Sequence, residues 1–129
     1  MAEHNSLSQA EWRVMEALWD RAPQTIKQLT DVLSPETGWS KHTVISFLNR
    51  MESKGAVSYV TQGRARAYRP AYPREEATLT ESNRFLSRVF RGSLGLMVSS
   101  MVEGKALKEQ EIDDLLEILQ RAKEEAGND

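Results

Sequence analysis

The chain has 129 residues, of which 40% are hydrophobic and 28% charged, and its net charge is −2, all ordinary values for a protein with a buried core. It contains no cysteine, which excludes disulfide bonds, thiolate zinc sites and cysteine nucleophiles. Since no apolar stretch approaches the ~20 residues of a membrane span and the N-terminus lacks a signal-peptide pattern, we expect a cytoplasmic protein without membrane insertion.

Two capping boxes predict the first two helices. In each box, a hydroxyl side chain and a Glu or Gln three positions later satisfy the free N–H groups at a helix start, and the pairs are Ser8 with Glu11 and Thr25 with Gln28. The first helix is predicted to end near Asp20. The second is predicted to end at Pro35, because proline cannot donate the next backbone hydrogen bond.

The third helix has an apolar stripe on one side and hydrogen-bonding groups on the other. Ser40 is its predicted N-cap, Gly55 follows its last turn, and the inward stripe consists of Val44, Phe47, Leu48 and Met51. The side chains off that stripe suit phosphates and base edges, and they are Lys41, His42, Thr43, Ile45, Ser46, Asn49 and Arg50. Ile45 is the apolar exception, and it either contacts a thymine methyl group or packs under the hairpin that follows.

A basic β-hairpin is predicted next, with its turn at residues 62–64 and its return strand at 66–69. We expect Arg64 and Arg66 to contact phosphates, whereas the alternative is a charged edge strand that prevents aggregation. Residues 40–74 carry seven cations and one acid, which indicates a polyanion-binding surface, although a solvated charged face has the same pattern. Three helices and a basic hairpin follow the order of a winged helix-turn-helix, whose third helix enters the DNA major groove.

The remaining residues, 75–129, are acidic and are predicted to be helical, with breaks near Gly92 and Gly95. Their apolar positions exceed what such a short segment buries alone, so we expect a helical homodimer, with packing against the winged domain as the alternative. The predicted dimerisation residues are Leu86, Val89, Phe90, Met97, Met101, Ile112, Leu115, Leu116 and Leu119.

The predicted fold class is therefore mainly α with a small β-hairpin. A winged helix-turn-helix domain is expected over residues 6–74 and a helical dimerisation domain over 75–125. Tyr68 and the three tryptophans are assigned to packing. No catalytic residue set, cofactor site or metal site is predicted, since His4 lies in an N-terminus expected to be mobile and His42 has no nearby carboxylate at metal-ligand spacing. The alternative to DNA binding is a protein-interaction module whose third helix docks on a partner protein.

Four segments together resemble the penicillinase-repressor family, which also includes methicillin-resistance and copper-responsive repressors: SQAEWRVMEALWDR, GWSKHTVISFLNRMESKG, QGRARAYRP and VEGKALKEQEIDDLLEIL. The resemblance covers about residues 6–121. It implies a dimeric winged-helix repressor of palindromic, double-stranded operator DNA, with Lys41, His42, Thr43, Ser46 and Arg50 at the DNA. Position 45 is often basic in the family, so Ile45 departs from its pattern.

The resemblance also implies two routes by which the operator is released. Copper-responsive members carry a C-terminal cysteine cluster, which this chain lacks. Antibiotic-responsive members are cut in the dimerisation domain by a membrane-bound sensor protease, commonly at an Asn-Phe bond. The matching bond here is Ser100–Met101, a departure from that pattern. Control by an unidentified effector without proteolysis is the alternative.

Overall fold

The computed structural model describes residues 6–128, which divide at Glu81–Ser82 into two compact units. The elements are, in chain order, α1 Gln9–Asp20, β1 Gln24–Thr25, α2 Ile26–Thr37, α3 Lys41–Ser53, β2 Val57–Gln62, β3 Ala65–Pro70, α4 Arg74–Phe90, α5 Leu94–Glu103 and α6 Glu109–Gly127. The predicted fold class, mainly helical with a winged helix-turn-helix at the N-terminus, is confirmed.

Both predicted capping boxes are present. The Ser8 hydroxyl accepts a hydrogen bond from the Glu11 N–H at 3.1 Å, and the Glu11 carboxylate accepts one from the Ser8 N–H at 2.9 Å. Thr25 and Gln28 make the same reciprocal pair at the start of α2. Since these bonds satisfy N–H groups that a helix start leaves free, the local sequence is sufficient to place both starts.

The predicted end of the second helix at Pro35 was wrong, because α2 continues to Thr37 with the proline inside its last turn. The Thr37 hydroxyl donates to the Leu33 carbonyl at 2.8 Å, and the Gly38 N–H donates to the Ser34 carbonyl at 2.8 Å. These bonds close the turn around the proline. Gly38 then ends the helix at a φ of 74°, a left-handed conformation that glycine adopts without strain.

The predicted hairpin is present as β2 and β3, with Tyr59 opposite Tyr68. Gly63 has a φ of 62° in the turn between the strands. The two-residue strand β1 was not predicted, and its pairing with β3 makes a three-stranded antiparallel sheet in the order β1-β3-β2. A strand of two residues is too short to show an alternating apolar pattern, so the sequence of β1 contains no detectable strand signal.

The core of the N-terminal unit lies between α1, α2, α3 and the sheet. Val44, Leu48 and Met51 are fully buried, which confirms the inward stripe of α3, and Tyr68 is buried as predicted. The three tryptophans are half-buried against this core. The unit extends past the predicted boundary at residue 74, because Ala77 on α4 also belongs to the core.

The C-terminal unit consists of helices, as predicted, but none of its described side chains is buried. Gly92 lies between α4 and α5 with a φ of 82°, whereas Gly95 lies inside α5 rather than at a break. Although α5 and α6 are rich in leucine, valine and methionine, no helix within residues 6–128 is long and apolar enough to cross a membrane.

Candidate nucleic-acid interface

The outer face of α3 presents most of the predicted DNA-binding residues. Ser40 begins the helix, since its hydroxyl accepts a hydrogen bond from the Thr43 N–H at 3.2 Å. With one side of the helix held in the core, the opposite side and its flanks are exposed, and the exposed predicted residues are Lys41, His42, Ser46, Asn49 and Arg50. They form a row of hydrogen-bond donors along a rigid helix.

Two predicted residues on α3 are half-buried instead. The Thr43 hydroxyl lies 3.2 Å from the Ser40 hydroxyl, so it is partly engaged at the helix cap. Ile45 lies on the opposite flank, which faces the hairpin. Thr43 and Ile45 therefore lie on different flanks of α3, although the sequence predicts both as DNA-binding residues.

A cleft of about 500 Å³ lies between α3, the start of α2 and the hairpin. All of the charged side chains that line it are cations, and these are Lys27, Lys41, Arg64 and Arg66. Thr25, Ile26, Ile45, Asn49, Ala65 and Tyr68 complete its wall. Four cations around one concave surface create a positive potential that attracts phosphate.

Lys27 is the cleft residue that the sequence analysis missed. It lies in the first turn of α2, two positions after the cap residue Thr25, and forms an exposed ion pair with Asp31 at 3.0 Å. A signal was present, since a helix-turn-helix brings the start of its second helix close to the third. Lys27 lies outside the charge excess of residues 40–74, on which the prediction of the DNA surface depends.

Arg66 is held in place by two tyrosines of the hairpin. Its guanidinium lies 4.3 Å from the centre of the Tyr59 ring, within the range of a cation–π contact. A hydrogen bond with Tyr68 raises the pKa of Arg66 above its ordinary value. Arg64 is exposed beside Gly63 in the turn. The two arginines thus differ, because one is oriented by its neighbours and the other extends from the hairpin tip.

Two cations of the 40–74 segment are already paired with acids. Lys54 donates to the Glu11 carboxylate at 2.6 Å and to the Ser6 carbonyl at 3.0 Å, and Arg74 donates to Asp20 at 3.0 Å. The side chain of Lys54 is only 19% exposed and that of Glu11 is fully buried. The charge of this segment therefore overstates the positive surface available to a ligand.

The Glu11–Lys54 pair connects the start of α1 to the end of α3. Burial acts to raise the pKa of the Glu11 carboxyl, but the hydrogen bonds from Lys54 and Ser8 outweigh it and hold that pKa below the ordinary value. Glu11 Oε1 takes these bonds, while Oε2 has no hydrogen-bond partner among the described residues. The carboxylate thus caps one helix and anchors another.

The C-terminal unit contains a second, apolar surface, a groove of about 730 Å³ between α5 and α6. Six predicted dimerisation residues line it, namely Met97, Met101, Ile112, Leu115, Leu116 and Leu119. The other lining residues were not predicted for the interface, and they are Leu94, Val98, Val102, Leu107, Glu111 and Asp114. Leu86, Val89 and Phe90 lie on α4 and do not line this groove.

The predicted cleavage bond, Ser100–Met101, lies inside α5. The Ser100 carbonyl accepts a hydrogen bond from the Gly104 N–H at 3.0 Å, and the Met101 carbonyl accepts one from the Ala106 N–H at 2.9 Å. Both carbonyl groups are therefore engaged in the C-terminal turn of the helix. A protease that binds an extended substrate would have to unwind this turn first.

His42 is exposed on α3, and residues 6–128 contain no group of three or more His, Asp or Glu side chains placed to hold a metal ion. His4 lies outside the described residues.

Known proteins resemble the chain over nearly its whole length. The family model of the penicillinase repressor matches residues 7–121. A penicillinase repressor of Bacillus licheniformis is 31% identical over 117 residues, which cover 91% of each chain. The N-terminal unit is also similar to two solved structures.

The first of these structures is the DNA-binding domain of the repressor BlaI. It is 28% identical with a TM-score of 0.54, and the match covers 59% of this chain and 93% of that domain. The second is the monomeric form of Bacillus licheniformis BlaI in complex with the blaP half-operator. It is 27% identical with a TM-score of 0.51, and the match covers 57% of this chain and 90% of that one.

Proposed function

Since the chain belongs to the penicillinase repressor family, we propose that it represses transcription as a homodimer that binds a two-fold symmetric operator. The family consists of DNA-binding transcriptional repressors, which agrees with the prediction that the protein is not an enzyme.

The observation that carries the DNA-binding surface is the combination of the exposed face of α3 with the cleft beside it. An α-helix fits the major groove, which is about 12 Å wide, so the row from Lys41 to Arg50 can face base edges. The cations of the cleft then lie beside α3, where one strand of the backbone would pass. In this assignment Lys27, Lys41, Arg50, Arg64 and Arg66 bind phosphates, and His42, Thr43 and Ser46 contact bases.

The apolar groove between α5 and α6 supports the homodimer. Leu116 and Leu119 are 61% and 56% exposed in the single chain, and an apolar surface of this kind is stabilised when a second copy covers it. A two-fold dimer presents two copies of α3, which matches the symmetry of a palindromic operator. We assign Met97, Met101, Ile112, Leu115, Leu116 and Leu119 to this interface.

We propose that the operator is released when the same groove is damaged by cleavage of α5. Met101 lines the groove and contributes to the Ser100–Met101 bond, so cleavage there by a membrane-bound sensor protease would remove part of the dimer surface. The hydrogen bond from Gly104 to the Ser100 carbonyl requires that α5 unwind before the cut. Recovery of uncut protein from induced cells would instead favour an effector that acts without proteolysis.

The salt dependence of DNA binding tests the proposed phosphate contacts. Each phosphate that is neutralised releases counterions, so the logarithm of the binding constant falls with the logarithm of salt concentration by about 0.9 per contact. Arg64→Ala and Arg66→Ala together should therefore flatten this slope by up to about two units. The measurement is fluorescence anisotropy with duplex DNA at several salt concentrations.

Arg69→Ala is the matched control for this experiment. Arg69 is exposed on β3 like Arg66, but it lies three positions along the strand and so projects from the other face of the sheet. Its loss should leave the slope unchanged. Equal slopes for all variants would contradict the hairpin assignment, and a chain that binds no DNA would favour the protein-interaction module.

A further inference from the structure

Ile45 is half-buried, yet it does not pack against the hydrophobic core. The half-buried apolar side chains that contact the core within the described chain are Trp12, Trp19, Ile26, Trp39, Phe47 and Tyr59. Ile45 lies instead in the wall of the cationic cleft, on the hairpin side of α3. Apolar neighbours in this wall, Ile26 and Tyr68, account for the buried part of the side chain, and the exposed part is left without a packing role.

Ile45 lies between polar side chains along α3, while Ile26, Ala65 and Tyr68 belong to the same cleft wall. Lys41 and Asn49 lie one turn before and one turn after it on α3, and all three line the cleft. Ile45 is half-buried on the hairpin flank of α3, where the exposed part of its side chain lies in the cleft. An apolar side chain at a DNA-facing position carries no phosphate affinity, so its chemistry points to a base.

Base edges in the major groove offer one apolar group, the C5-methyl of thymine. An asparagine amide matches adenine, because it can donate to N7 and accept from the N6 amino group. Ile45 and Asn49 are four residues apart, which is about 6 Å along the helix axis. Base pairs are about 3.4 Å apart along DNA, so the two side chains reach positions within about two base-pair steps of each other.

We propose that Ile45 contacts the methyl group of a thymine and Asn49 contacts an adenine, so that each operator half-site carries both bases within two steps. This assignment rests on the proposed function, because it requires α3 to lie in the major groove. It adds the chemical class of the bases that this flank of the helix selects. The residues that the proposed function assigned to base contacts were His42, Thr43 and Ser46.

The test removes the thymine methyl group from the DNA and, in separate variants, the Ile45 side chain from the protein. Binding sequences are first selected from randomised duplex DNA with the full-length protein, and each thymine is then replaced singly by deoxyuridine, which lacks only the methyl group. The unmodified protein should lose about four-fold in affinity at one thymine in each half-site, the effect expected for one buried methyl group. Ile45→Ala should bind the thymine duplex more weakly and no longer distinguish thymine from uracil at that position.

Val32→Ala is the matched control, since Val32 is another branched apolar side chain of the N-terminal unit and is 53% exposed on α2, away from the cleft. It should keep the full thymine preference. Replacement of adenine by purine, which lacks the N6 amino group, should weaken binding by about ten-fold for the unmodified protein and far less for Asn49→Ala. If Ile45→Ala does not fold, Ile45→Val shortens the side chain by one methyl group and should lower the preference partially.

Two results would overturn the proposal while leaving the proposed function intact. In one, the protein prefers its selected sequence over random DNA but loses no affinity at any uracil. In the other, Ile45→Ala weakens binding and keeps the thymine preference, which would mean that Ile45 only supports the hairpin. A protein with no preference for any sequence over random DNA would overturn both this assignment and the function on which it rests.

Discussion

The two units of the chain differ in how much apolar surface each buries by itself. The N-terminal unit encloses a continuous core that extends from Leu7 on the N-terminal side of α1 to Ala77 on α4. In the C-terminal unit, none of the described side chains is buried, and several leucines remain more than half exposed. Since burial of apolar surface is the main force that stabilises folded proteins, the first unit is complete as a single chain and the second is not.

This difference also separates the two kinds of contact proposed for the protein. The surface assigned to DNA lies on a unit whose core already fixes α3 and the hairpin, so its side chains are positioned before DNA binds. In the proposed dimer, the surface assigned to dimerisation would be stabilised by the partner copy. We therefore expect substitutions in the groove to act through association and substitutions in the N-terminal core to act through folding.

The largest expected effect comes from placing charge in the groove. Leu116→Glu combined with Leu119→Glu removes two leucines, each worth about 1.5–3 kcal/mol when buried, and adds two carboxylates to an apolar interface. The dimer should weaken at least ~100-fold, since 1.4 kcal/mol corresponds to a factor of ten. Sedimentation velocity measures the association, and tryptophan fluorescence should be unchanged, because all three tryptophans lie in the N-terminal unit.

Gln110→Glu is the control for this pair, because it adds a negative charge to an exposed position of α6 that does not line the groove. It should leave the dimer intact. A double variant that still sediments as a dimer would mean that the groove is not the interface. A double variant whose N-terminal unit unfolds would break the comparison, because that unit would then depend on leucines of the C-terminal groove.

The next largest effect concerns the ion pair that connects α1 to α3. Lys54→Ala leaves the buried Glu11 carboxylate without its cation, and loss of one partner of a buried pair typically costs 3 kcal/mol or more. The exposed Lys27–Asp31 pair is the matched control, since Lys27→Ala should change the free energy of unfolding by less than about 0.5 kcal/mol. Urea denaturation followed by tryptophan fluorescence compares the two variants.

Similar losses in the two lysine variants would mean that burial does not distinguish these ion pairs. A loss confined to Lys54→Ala would show that the end of α3 is fixed by the interior of the N-terminal unit. That result would sharpen the comparison between the two units, because it would show that α3 is held by the core of the N-terminal unit before DNA binds.

The features that the sequence predicted correctly depend on residues close together in the chain. The box formed by Ser8 and Glu11, the cap at Ser40 and the stripe that includes Val44 and Leu48 each lie within a few turns of one helix. Helix periodicity and capping chemistry are local, so composition and spacing suffice to identify them. The exposed row on α3 follows from the same stripe, since it is the opposite side of the helix.

The features that were missed depend on residues far apart. Glu11 and Lys54 are 43 positions apart, so the sequence alone counted Lys54 among the cations of the DNA surface. Strand β1 exists because Gln24 pairs with Tyr68, and Lys27 joins the cleft because the fold brings the start of α2 beside the hairpin. At Pro35 the sequence rule was local but was overridden by the hydrogen bonds of Thr37 and Gly38.

The smallest expected effect is the acid sensitivity that Glu11 gives to the N-terminal unit. Its pKa in the folded protein lies below the ordinary value of 4.5, so the folded state binds this proton more weakly than the unfolded state does. The stabilisation is therefore complete above about pH 4.5 and is lost as the pH falls through the lower folded pKa. Urea midpoints measured from pH 7 down to pH 3 should decrease more steeply for the unmodified protein than for Glu11→Gln.

Glu11→Gln suits this comparison because an amide oxygen can still accept the hydrogen bonds from Ser8 and Lys54 while the group no longer titrates. The variant should be less stable at neutral pH, since Lys54 loses its opposite charge, and the two proteins should converge in stability at low pH. Parallel pH curves would show that Glu11 does not carry the acid sensitivity. The pH dependence would then come from exposed carboxylates, and the ion pair between α1 and α3 would no longer distinguish the complete unit from the incomplete one.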